Sequence, residues 1–203
     1  MAPPRFIARQ LSRPTGLIGR MIGRLMNRHN AKMNAFALEQ LELEATDRVL
    51  EIGFGGGVQL PFLISGAAFV GGVDLSRDAV RWANARYSAA VKHGRAAFRE
   101  GSVEAIPFET ASFEKVCTVN TVYFWPSLGA GFAEINRVLI PGGRVVVGFL
   151  PKEWMDRMEY PSDIFTTLTP EQVVAALTRS GLKSVHIERP EPTTKWNVIV
   201  ATR

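Results

Sequence analysis

A run of strand-forming residues that leads directly into a cluster of glycines constrains this 203-residue chain more than any other feature. Residues 49–52 are apolar apart from Glu51, and glycines alternate in the turn that follows, at Gly53, Gly55 and Gly57. Glycine has no Cβ, so such a turn can adopt positive φ and let a ligand lie on the backbone. Where a helix follows, its free N–H groups face the same ligand. The stretch predicts a nucleotide-binding turn at the carboxyl end of a first parallel strand.

A second acidic residue supports this interpretation. Residues 68–74 have the composition of another strand that ends in an acid, and Asp74 lies 17 residues after Gly57. A βαβ unit carries the carboxylate that binds a ribose at about this position. The spacing fits NAD as well as other adenosine ligands, so the rest of the chain has to decide between them.

The composition indicates one globular domain. At 46% hydrophobic residues the chain can bury a full core, and no apolar run approaches the roughly 20 residues of a membrane span. The single Cys117 cannot form an internal disulfide, which favours a reducing compartment such as the cytoplasm, and the three histidines lack metal-ligand spacing. Residues 1–38 hold seven basic residues and no acidic one, so the remaining 17 basic and 19 acidic residues give a net charge of −2. This balance predicts a domain that does not bind nucleic acid.

The basic residues mark residues 1–32 as an N-terminal arm, separate from the domain formed by residues 33–203. Residues 1–13 contain two prolines and are expected to be poorly ordered. From Leu17, apolar residues recur with helical spacing and arginines fall four apart on another face, which predicts an amphipathic helix. Three interpretations stay open: a helix that closes over the ligand, a basic helix that touches an anionic membrane, and a cleaved targeting peptide.

The order of the predicted elements gives the fold class. Strands are predicted at residues 49–52, 68–74, 96–100, 113–120 and 144–150, and helices at residues 33–41, 58–65, 77–91, 129–139 and 170–180. Alternation of this kind predicts a doubly wound parallel sheet. Residues 184–188 and 197–201 are two further strands, and the segment between them is too short for a crossover helix, so they should pair antiparallel.

Four motifs, in order, make the chain resemble the class I S-adenosylmethionine-dependent methyltransferases, in particular the group of the ubiquinone and menaquinone biosynthesis enzymes. They are residues 49–57, 72–76, 101–108 with 112–116, and 134–143. The resemblance covers about residues 45–150 and the terminal hairpin. It implies an α/β fold with a Rossmann-like, doubly wound, seven-stranded sheet, parallel except for a C-terminal antiparallel strand, and N-terminal lid helices. It also implies S-adenosylmethionine as the cofactor and a small molecule as the methyl acceptor.

The resemblance assigns roles to residues at the ends of the first strands. Gly53 and its neighbours would let the methionine half of the cofactor pass over the backbone, Glu51 would face its ammonium group, and Asp74 would accept both ribose hydroxyls. Helix capping by Glu51 or Asp74 is the alternative interpretation. Leu75 would pack on the adenine, and the Val103 N–H would meet the ring edge. The full set implied for cofactor binding is Glu51, Gly53, Phe54, Gly55, Gly57, Asp74, Leu75, Ser102, Val103, Glu104, Asn120 and Thr121.

Ser102 departs from the family pattern, which usually carries an aspartate there to accept a hydrogen bond from the adenine amino group. A hydroxyl can also accept, but a neutral hydrogen bond is roughly half as strong as a charged one. Cofactor binding is therefore expected to survive with reduced affinity.

Aromatic residues after the fourth strand predict the acceptor site. Tyr123, Phe124 and Trp125 follow that strand directly, and Trp154 belongs to an apolar connection over residues 151–169. These residues suit a hydrophobic or aromatic acceptor, quinone-like or lipid-like. Packing against the next helix or the sheet edge is the alternative.

The transfer would be an in-line displacement at the cofactor methyl carbon, which needs a general base only where the nucleophile must lose a proton. Tyr123 is the candidate catalytic residue, and His29, Asp156 and Glu159 are further candidates by position alone. The alternative function is a non-catalytic partner subunit that binds S-adenosylmethionine and keeps the fold. The expected protein is cytoplasmic, with peripheral membrane contact through the arm as one option, and is a monomer or a homodimer.

Overall fold

Seven strands form one sheet in the computed structural model, which describes residues 4–16, 18–19, 21–22 and 30–203. The strands are β1 (Arg48–Ile52), β2 (Phe69–Asp74), β3 (Ala96–Glu100), β4 (Phe113–Val119), β5 (Leu139–Phe149), β6 (Lys183–Glu188) and β7 (Asn197–Thr202). Their order across the sheet is β3-β2-β1-β4-β5-β7-β6. β7 runs antiparallel to both of its neighbours, and the other neighbouring pairs are parallel. The predicted Rossmann-like sheet with one antiparallel strand is confirmed.

Helices cover both faces of the sheet. The helices whose bounds lie within the described residues are α1 (Arg5–Ser12), α2 (Ala31–Gln40), α3 (Leu60–Gly66), α4 (Arg77–Arg86), α5 (Ser88–Lys92), α6 (Leu128–Val138), α7 (Lys152–Met155) and α8 (Pro170–Arg179), with 3₁₀ turns at Val122–Phe124 and Asp156–Met158. Val145 and Val147 of β5 pack into the core beneath α6 and α8, whereas Val146 packs into the core beneath α2, α3 and α4. Burial on both faces explains why the central strands are continuous apolar runs.

Two predicted elements differ from the structure by more than two residues in their bounds. The helix predicted over residues 77–91 is split into α4 and α5, because Tyr87 leaves helical geometry (φ −107°, ψ 29°) and packs its ring against Phe98, with 5.9 Å between centroids. β5 begins at Leu139 rather than at residue 144, because Leu139 pairs with Phe113 before a shift in register. The predicted helix start at residue 170 is confirmed, with Pro170 in the first turn.

The N-terminal arm corrects one sequence prediction, because residues 5–12 form helix α1 instead of a poorly ordered segment. Ala8 is fully buried in the core, Leu11 packs beside it, and Arg5 forms an ion pair with Asp163 in the connection after β5. The amphipathic helix predicted from Leu17 lies mostly outside the described residues, of which 18–19 and 21–22 are helical. Within the described ranges, every helix falls short of the length and apolar character that a bilayer span requires.

Candidate active site

The chain reverses its strand order between β1 and β4, and a cavity opens there beyond the carboxyl ends of the strands. β2 and β3 extend the sheet on one side of β1, while β4 and β5 extend it on the other. Ligands of doubly wound sheets bind at such a switch point. The cavity volume of about 1180 Å³ exceeds the roughly 300–1,000 Å³ of a typical small-molecule site, so it can hold two ligands side by side.

The loop after β1 brings the backbone to the cavity floor. Gly53 has a φ of +69°, and a Cβ at this residue would lie 2.4 Å from Thr121 Cγ2, so glycine is required on two grounds. Gly55 has a φ of +47° and borders the cavity with open space at its Cβ position. Gly57 does not line the cavity; its N–H donates to the Phe54 carbonyl at 2.6 Å and closes the turn.

Asp74 ends β2 and holds the loop after β1. One carboxylate oxygen accepts a hydrogen bond from the Gly55 N–H and the other accepts one from the Ser76 N–H, both at 2.7 Å. Burial raises the pKa of Asp74, and the two N–H donors oppose that increase. Each oxygen keeps a lone pair, so the carboxylate can still accept two ligand hydroxyls. The cap of α4 is Ser76, whose hydroxyl accepts from the Ala79 N–H at 3.2 Å.

Glu51 is buried at the end of β1, and its Oε2 has no hydrogen-bond partner in the described part of the chain. Burial raises the pKa of Glu51 to about 8, and the negative charge of Asp74 adds to the increase. A buried carboxylate oxygen without a partner costs free energy until a cation or a donor reaches it. Because Glu51 lines the cavity, its carboxylate marks the place where a cationic ligand group fits.

The loop after β3 closes this half of the cavity. Ser102 and Val103 line it, and Leu75 lines it from the turn after β2 with 44% of its surface exposed. The Ser102 hydroxyl accepts from the Glu104 N–H at 3.2 Å, while Glu104 itself does not line the cavity. An exposed leucine beside two backbone segments suits the flat face of an aromatic ligand.

Two charged residues of α6 hold the loop after β3 in place. Glu134 accepts a hydrogen bond from the Ile106 N–H at 2.8 Å, and Arg137 donates to the Ile106 and Phe108 carbonyls, each at 2.9 Å. Glu134 and Arg137 also pair with each other at 2.6 Å, which lowers the pKa of Glu134. The fourth sequence motif therefore acts on the site through the loop that carries Ser102.

Tyr123 joins three connections at the cavity wall. Its hydroxyl donates to Asn120 Oδ1 at 3.0 Å and accepts from the Leu150 N–H, and its carbonyl accepts from the Thr166 N–H at 2.9 Å. Burial raises the pKa of the Tyr123 hydroxyl above its ordinary value. This hydroxyl makes two hydrogen bonds and is hard to ionise. It is therefore better suited to keep the cavity wall in position than to accept a proton.

Aromatic rings extend this wall into the second half of the cavity. The Phe124 and Phe165 centroids lie 4.7 Å apart, and Tyr160 stacks on Phe165 at 4.4 Å. Trp125 lines the cavity and also packs on Phe132 of α6, with 5.1 Å between ring centroids. This residue therefore both borders the predicted acceptor site and packs against the next helix. The wall offers flat apolar surface and few hydrogen-bonding groups.

Trp154 lies at the mouth of the cavity, where two cations lie over its ring. The Arg157 guanidinium carbon is 4.2 Å and the Lys195 ammonium nitrogen is 4.7 Å from the ring centroid. Both cations are exposed and both line the cavity. Lys195 was not predicted from the sequence, because this residue belongs to the β6–β7 connection and no motif links that connection to the site.

Helix α1 and the residues after it lie across the opening. Gln10, Leu11 and Pro14 line the cavity. The Pro14 carbonyl accepts a hydrogen bond from the Ser76 hydroxyl, and the Gly16 N–H donates to Asp78 at 2.9 Å. The arm is thus attached to the start of α4, directly beside Asp74.

Residues 50–147 match a family of methyltransferase domains. Among related sequences, the uncharacterized methyltransferase YdaC of Bacillus subtilis is 29% identical over 133 residues, which cover 64% of this chain and 71% of YdaC. The 27-O-demethylrifamycin SV methyltransferase of Amycolatopsis mediterranei is 31% identical over 109 residues, which cover 53% of this chain. Residues 50–147 form a class I S-adenosylmethionine-dependent methyltransferase domain.

The fold of this methyltransferase agrees with solved structures. An S-adenosylmethionine-dependent methyltransferase from Mesorhizobium loti superposes with a TM-score of 0.69 at 20% identity, over 84% of this chain and 98% of the other. The match to the Amycolatopsis enzyme covers only 40% of that enzyme's length. Similarity to the ubiquinone and menaquinone group in particular stays a prediction.

The methyltransferase cavity fits its cofactor, S-adenosylmethionine, on features of this chain. The unpartnered Glu51 oxygen suits the ammonium group, and the free lone pairs of Asp74 suit the ribose hydroxyls. Gly53 leaves no side chain between the cavity and Thr121. These residues lie at the ends of adjacent strands, since Glu51 pairs with Gly72 two residues before Asp74.

Most of the residues predicted for cofactor and acceptor come together in this methyltransferase. All of them line the cavity except Gly57 and Glu104. Of the candidate bases, Asp156 pairs with Lys152 at 2.8 Å outside the cavity, and Glu159 does not line it either. His29 lies outside the described residues.

Proposed function

We propose that this methyltransferase transfers the methyl group of S-adenosylmethionine to a small molecule with an apolar or aromatic body. One observation carries the proposal: the buried, unpartnered Glu51 carboxylate lies beside Asp74 in a cavity whose other half is walled by aromatic rings. Burying two interacting carboxylates is costly unless a ligand compensates for them. The arrangement therefore favours a working cofactor site over a fold retained for assembly alone.

The cofactor supplies an activated methyl group and a neutral thioether leaving group. The residues of the chain bind the cofactor and the acceptor and orient them. Ionised Glu51 would hold the ammonium group, and Asp74 would accept both ribose hydroxyls while it fixes the loop through Gly55. Leu75, Ser102 and Val103 are assigned to the adenine. Since the methyl group is already activated, the protein mainly has to align the acceptor with it.

We assign Tyr123, Phe124, Trp125 and Trp154 to the acceptor half of the cavity. Tyr123 is a positioning residue in this proposal, because its hydroxyl holds the ends of β4 and β5 together through Asn120 and Leu150. The Amycolatopsis relative is named for a small-molecule acceptor, 27-O-demethylrifamycin SV, which supports the same class of acceptor here.

Residues 1–32 are assigned to a lid over this site. The contacts of Pro14 with Ser76 and of Gly16 with Asp78 support the assignment, and so does the buried Ala8. A covered site excludes water, which strengthens the electrostatic interactions within it. Ile18 and Met21 of the arm are 49% and 66% exposed, and peripheral membrane contact through them stays a separate prediction.

The experiment that tests the proposal combines methyl transfer with binding. The purified protein is incubated with S-adenosylmethionine that carries a deuterated methyl group and with a panel of phenols, hydroquinones and fatty acids. Mass spectrometry then follows transfer of the label, with Glu51→Gln as the inactive control. Labelled product that forms with the native protein but not with Glu51→Gln supports the proposal. Binding of the cofactor without transfer to any acceptor would favour the non-catalytic partner subunit.

A further inference from the structure

We infer that the acceptor is an amphipathic anion, whose acidic group is recognised by Arg157 and Lys195 at the mouth of the cavity. The inference rests on the proposed function and adds to it the charge of the acceptor. It concerns the half of the cavity that lies away from Glu51 and Asp74.

The two cations come from different parts of the chain and converge on one ring. Arg157 belongs to the 3₁₀ turn after α7, whereas Lys195 belongs to the connection between β6 and β7. Both lie over Trp154, at 4.2 Å and 4.7 Å from its centroid. Two like charges held beside one indole repel each other, and an anion bound to either of them would relieve that repulsion.

Neither cation forms a close ion pair with a carboxylate in the part of the chain that the structure describes. The ion pairs in those residues engage other cations, such as Lys152 with Asp156 and Arg5 with Asp163. Of the described residues that line the cavity, the carboxylates are Glu51 and Asp74. The charges of the cavity are thus divided, with acids at the cofactor end and bases at the mouth.

The surface between these two ends of the cavity indicates what kind of body the acceptor has. Phe124, Tyr160 and Phe165 form a continuous aromatic wall, and Met155 and Leu150 also line the cavity. Apolar surface binds an apolar body, and an arginine or a lysine binds a carboxylate or a phosphate. An acid on an apolar or aromatic body matches both surfaces at once.

The test measures whether the acidic group is recognised. Octanoate, octyl phosphate and 1-octanol are titrated calorimetrically into the full-length protein saturated with S-adenosylhomocysteine. These probes share a chain and differ in the head group, so they separate carboxylate from phosphate recognition and both from simple apolar binding. We expect one of the two acids to bind at least about tenfold more tightly than 1-octanol, as charge-assisted hydrogen bonds require.

The double variant Arg157→Gln/Lys195→Gln is expected to lose this preference and to keep its affinity for 1-octanol. Both residues are exposed, so folding should be unaffected, and thermal unfolding checks this. Arg86→Gln is the matched control, since Arg86 is also exposed and lies over an aromatic ring, Tyr87, at 5.7 Å, but does not line the cavity.

Three results would overturn the inference: neither acid binds, the acids bind no more tightly than 1-octanol, or the double variant retains the preference. Titration with S-adenosylhomocysteine alone separates this failure from failure of the proposed function. If S-adenosylhomocysteine binds and the protein does not prefer the acids over 1-octanol, the inferred charge of the acceptor is wrong. The assignment of the cofactor site is then unaffected.

Discussion

The carboxylate of Asp74, at the end of β2, accepts a hydrogen bond of 2.7 Å from the N–H of Gly55, in the loop that follows β1. The residue proposed to bind the ribose therefore also fixes the loop proposed to carry the methionine half of the cofactor. Its second oxygen accepts from the Ser76 N–H at the start of α4. The two halves of the cofactor site form one hydrogen-bonded unit, and a change in either is expected to affect the other.

Asp74→Asn should weaken binding of S-adenosylhomocysteine by at least about tenfold, because an amide cannot accept two ribose hydroxyls with both of its polar atoms. Isothermal titration calorimetry measures the change. Glu100→Gln is the matched control, since Glu100 ends β3 in register with Asp74 but does not line the cavity. Native affinity in the Asp74→Asn protein would show that the ribose binds elsewhere.

Gly53→Ala should destabilise the protein by at least about 1–3 kcal/mol, because its backbone is left-handed and the new Cβ would meet Thr121 Cγ2 at 2.4 Å. Thermal and urea unfolding measure the loss. Gly142→Ala is the control, because Gly142 also has a positive φ, +80°, but has open space at its Cβ position. Equal losses of stability in the two variants would show that the contact with Thr121 contributes nothing to the effect.

Glu51 should make the stability of the free protein depend on pH. Burial raises its pKa to about 8, above the value of a carboxyl in the unfolded chain, so the folded state binds the proton more tightly. The contribution of Glu51 to the free energy of unfolding is fully present below the pKa that its carboxyl has in the unfolded chain. This contribution is lost as the pH rises through 8. Glu51→Gln should remove that loss, on the order of a few kcal/mol, and stabilise the free protein at pH 9.

Cofactor affinity should show the opposite trend, because the ammonium group needs ionised Glu51. Binding of S-adenosylhomocysteine to the native protein should strengthen from pH 6 towards pH 8, whereas Glu51→Gln should bind weakly at both values. Calorimetry in several buffers separates the proton released by Glu51 from the heat of binding. A pH-independent native affinity would contradict the pairing of Glu51 with the ammonium group.

Tyr123→Phe should lower turnover and stability while cofactor affinity stays near the native value. The substitution leaves Asn120 Oδ1 and the Leu150 N–H without their partner, which costs about 1–3 kcal/mol for a buried group. Tyr87→Phe is the control, since the Tyr87 hydroxyl accepts an exposed hydrogen bond from Arg86 away from the cavity. Loss of cofactor binding with unchanged turnover would rule out a role at the acceptor side.

Deletion of residues 1–16 should speed release of S-adenosylhomocysteine, because it removes the contacts to Ser76 and Asp78 beside the ribose site. Stopped-flow fluorescence measures the dissociation rate. Binding to vesicles of anionic phospholipid is measured with the same two proteins. Unchanged vesicle binding after the deletion would exclude residues 1–16 from membrane contact, and an unchanged dissociation rate would contradict the lid.

The cofactor side of the site could be predicted from the sequence because its determinants are local. Glu51 and Gly53 follow one strand and Asp74 ends the next, so parallel pairing of β1 with β2 is enough to bring them together. The fold class followed for the same reason, since short connections fix neighbouring strands. The break at Tyr87 was missed because it depends on the packing of that ring against Phe98, which lies on another element.

The acceptor side could be predicted only in part. Tyr123 was found as an aromatic residue after β4, but its bonds to Asn120 and Leu150 depend on how the ends of β4 and β5 meet. Lys195 reaches Trp154 across 41 residues of sequence, and no spacing or composition predicts that contact. The order of α1 likewise comes from tertiary contacts, since Ala8 is a core residue only where the rest of the core is present.

Calorimetric titration of the full-length native protein with S-adenosylmethionine and S-adenosylhomocysteine tests the cofactor site directly. We predict one site per chain with a dissociation constant on the order of micromolar for both. We also predict that Glu51→Gln and Asp74→Asn each weaken that site, while Glu100→Gln leaves it intact. Absence of binding to both ligands in the native protein would contradict the assignment of Glu51, Gly53 and Asp74 to the cofactor.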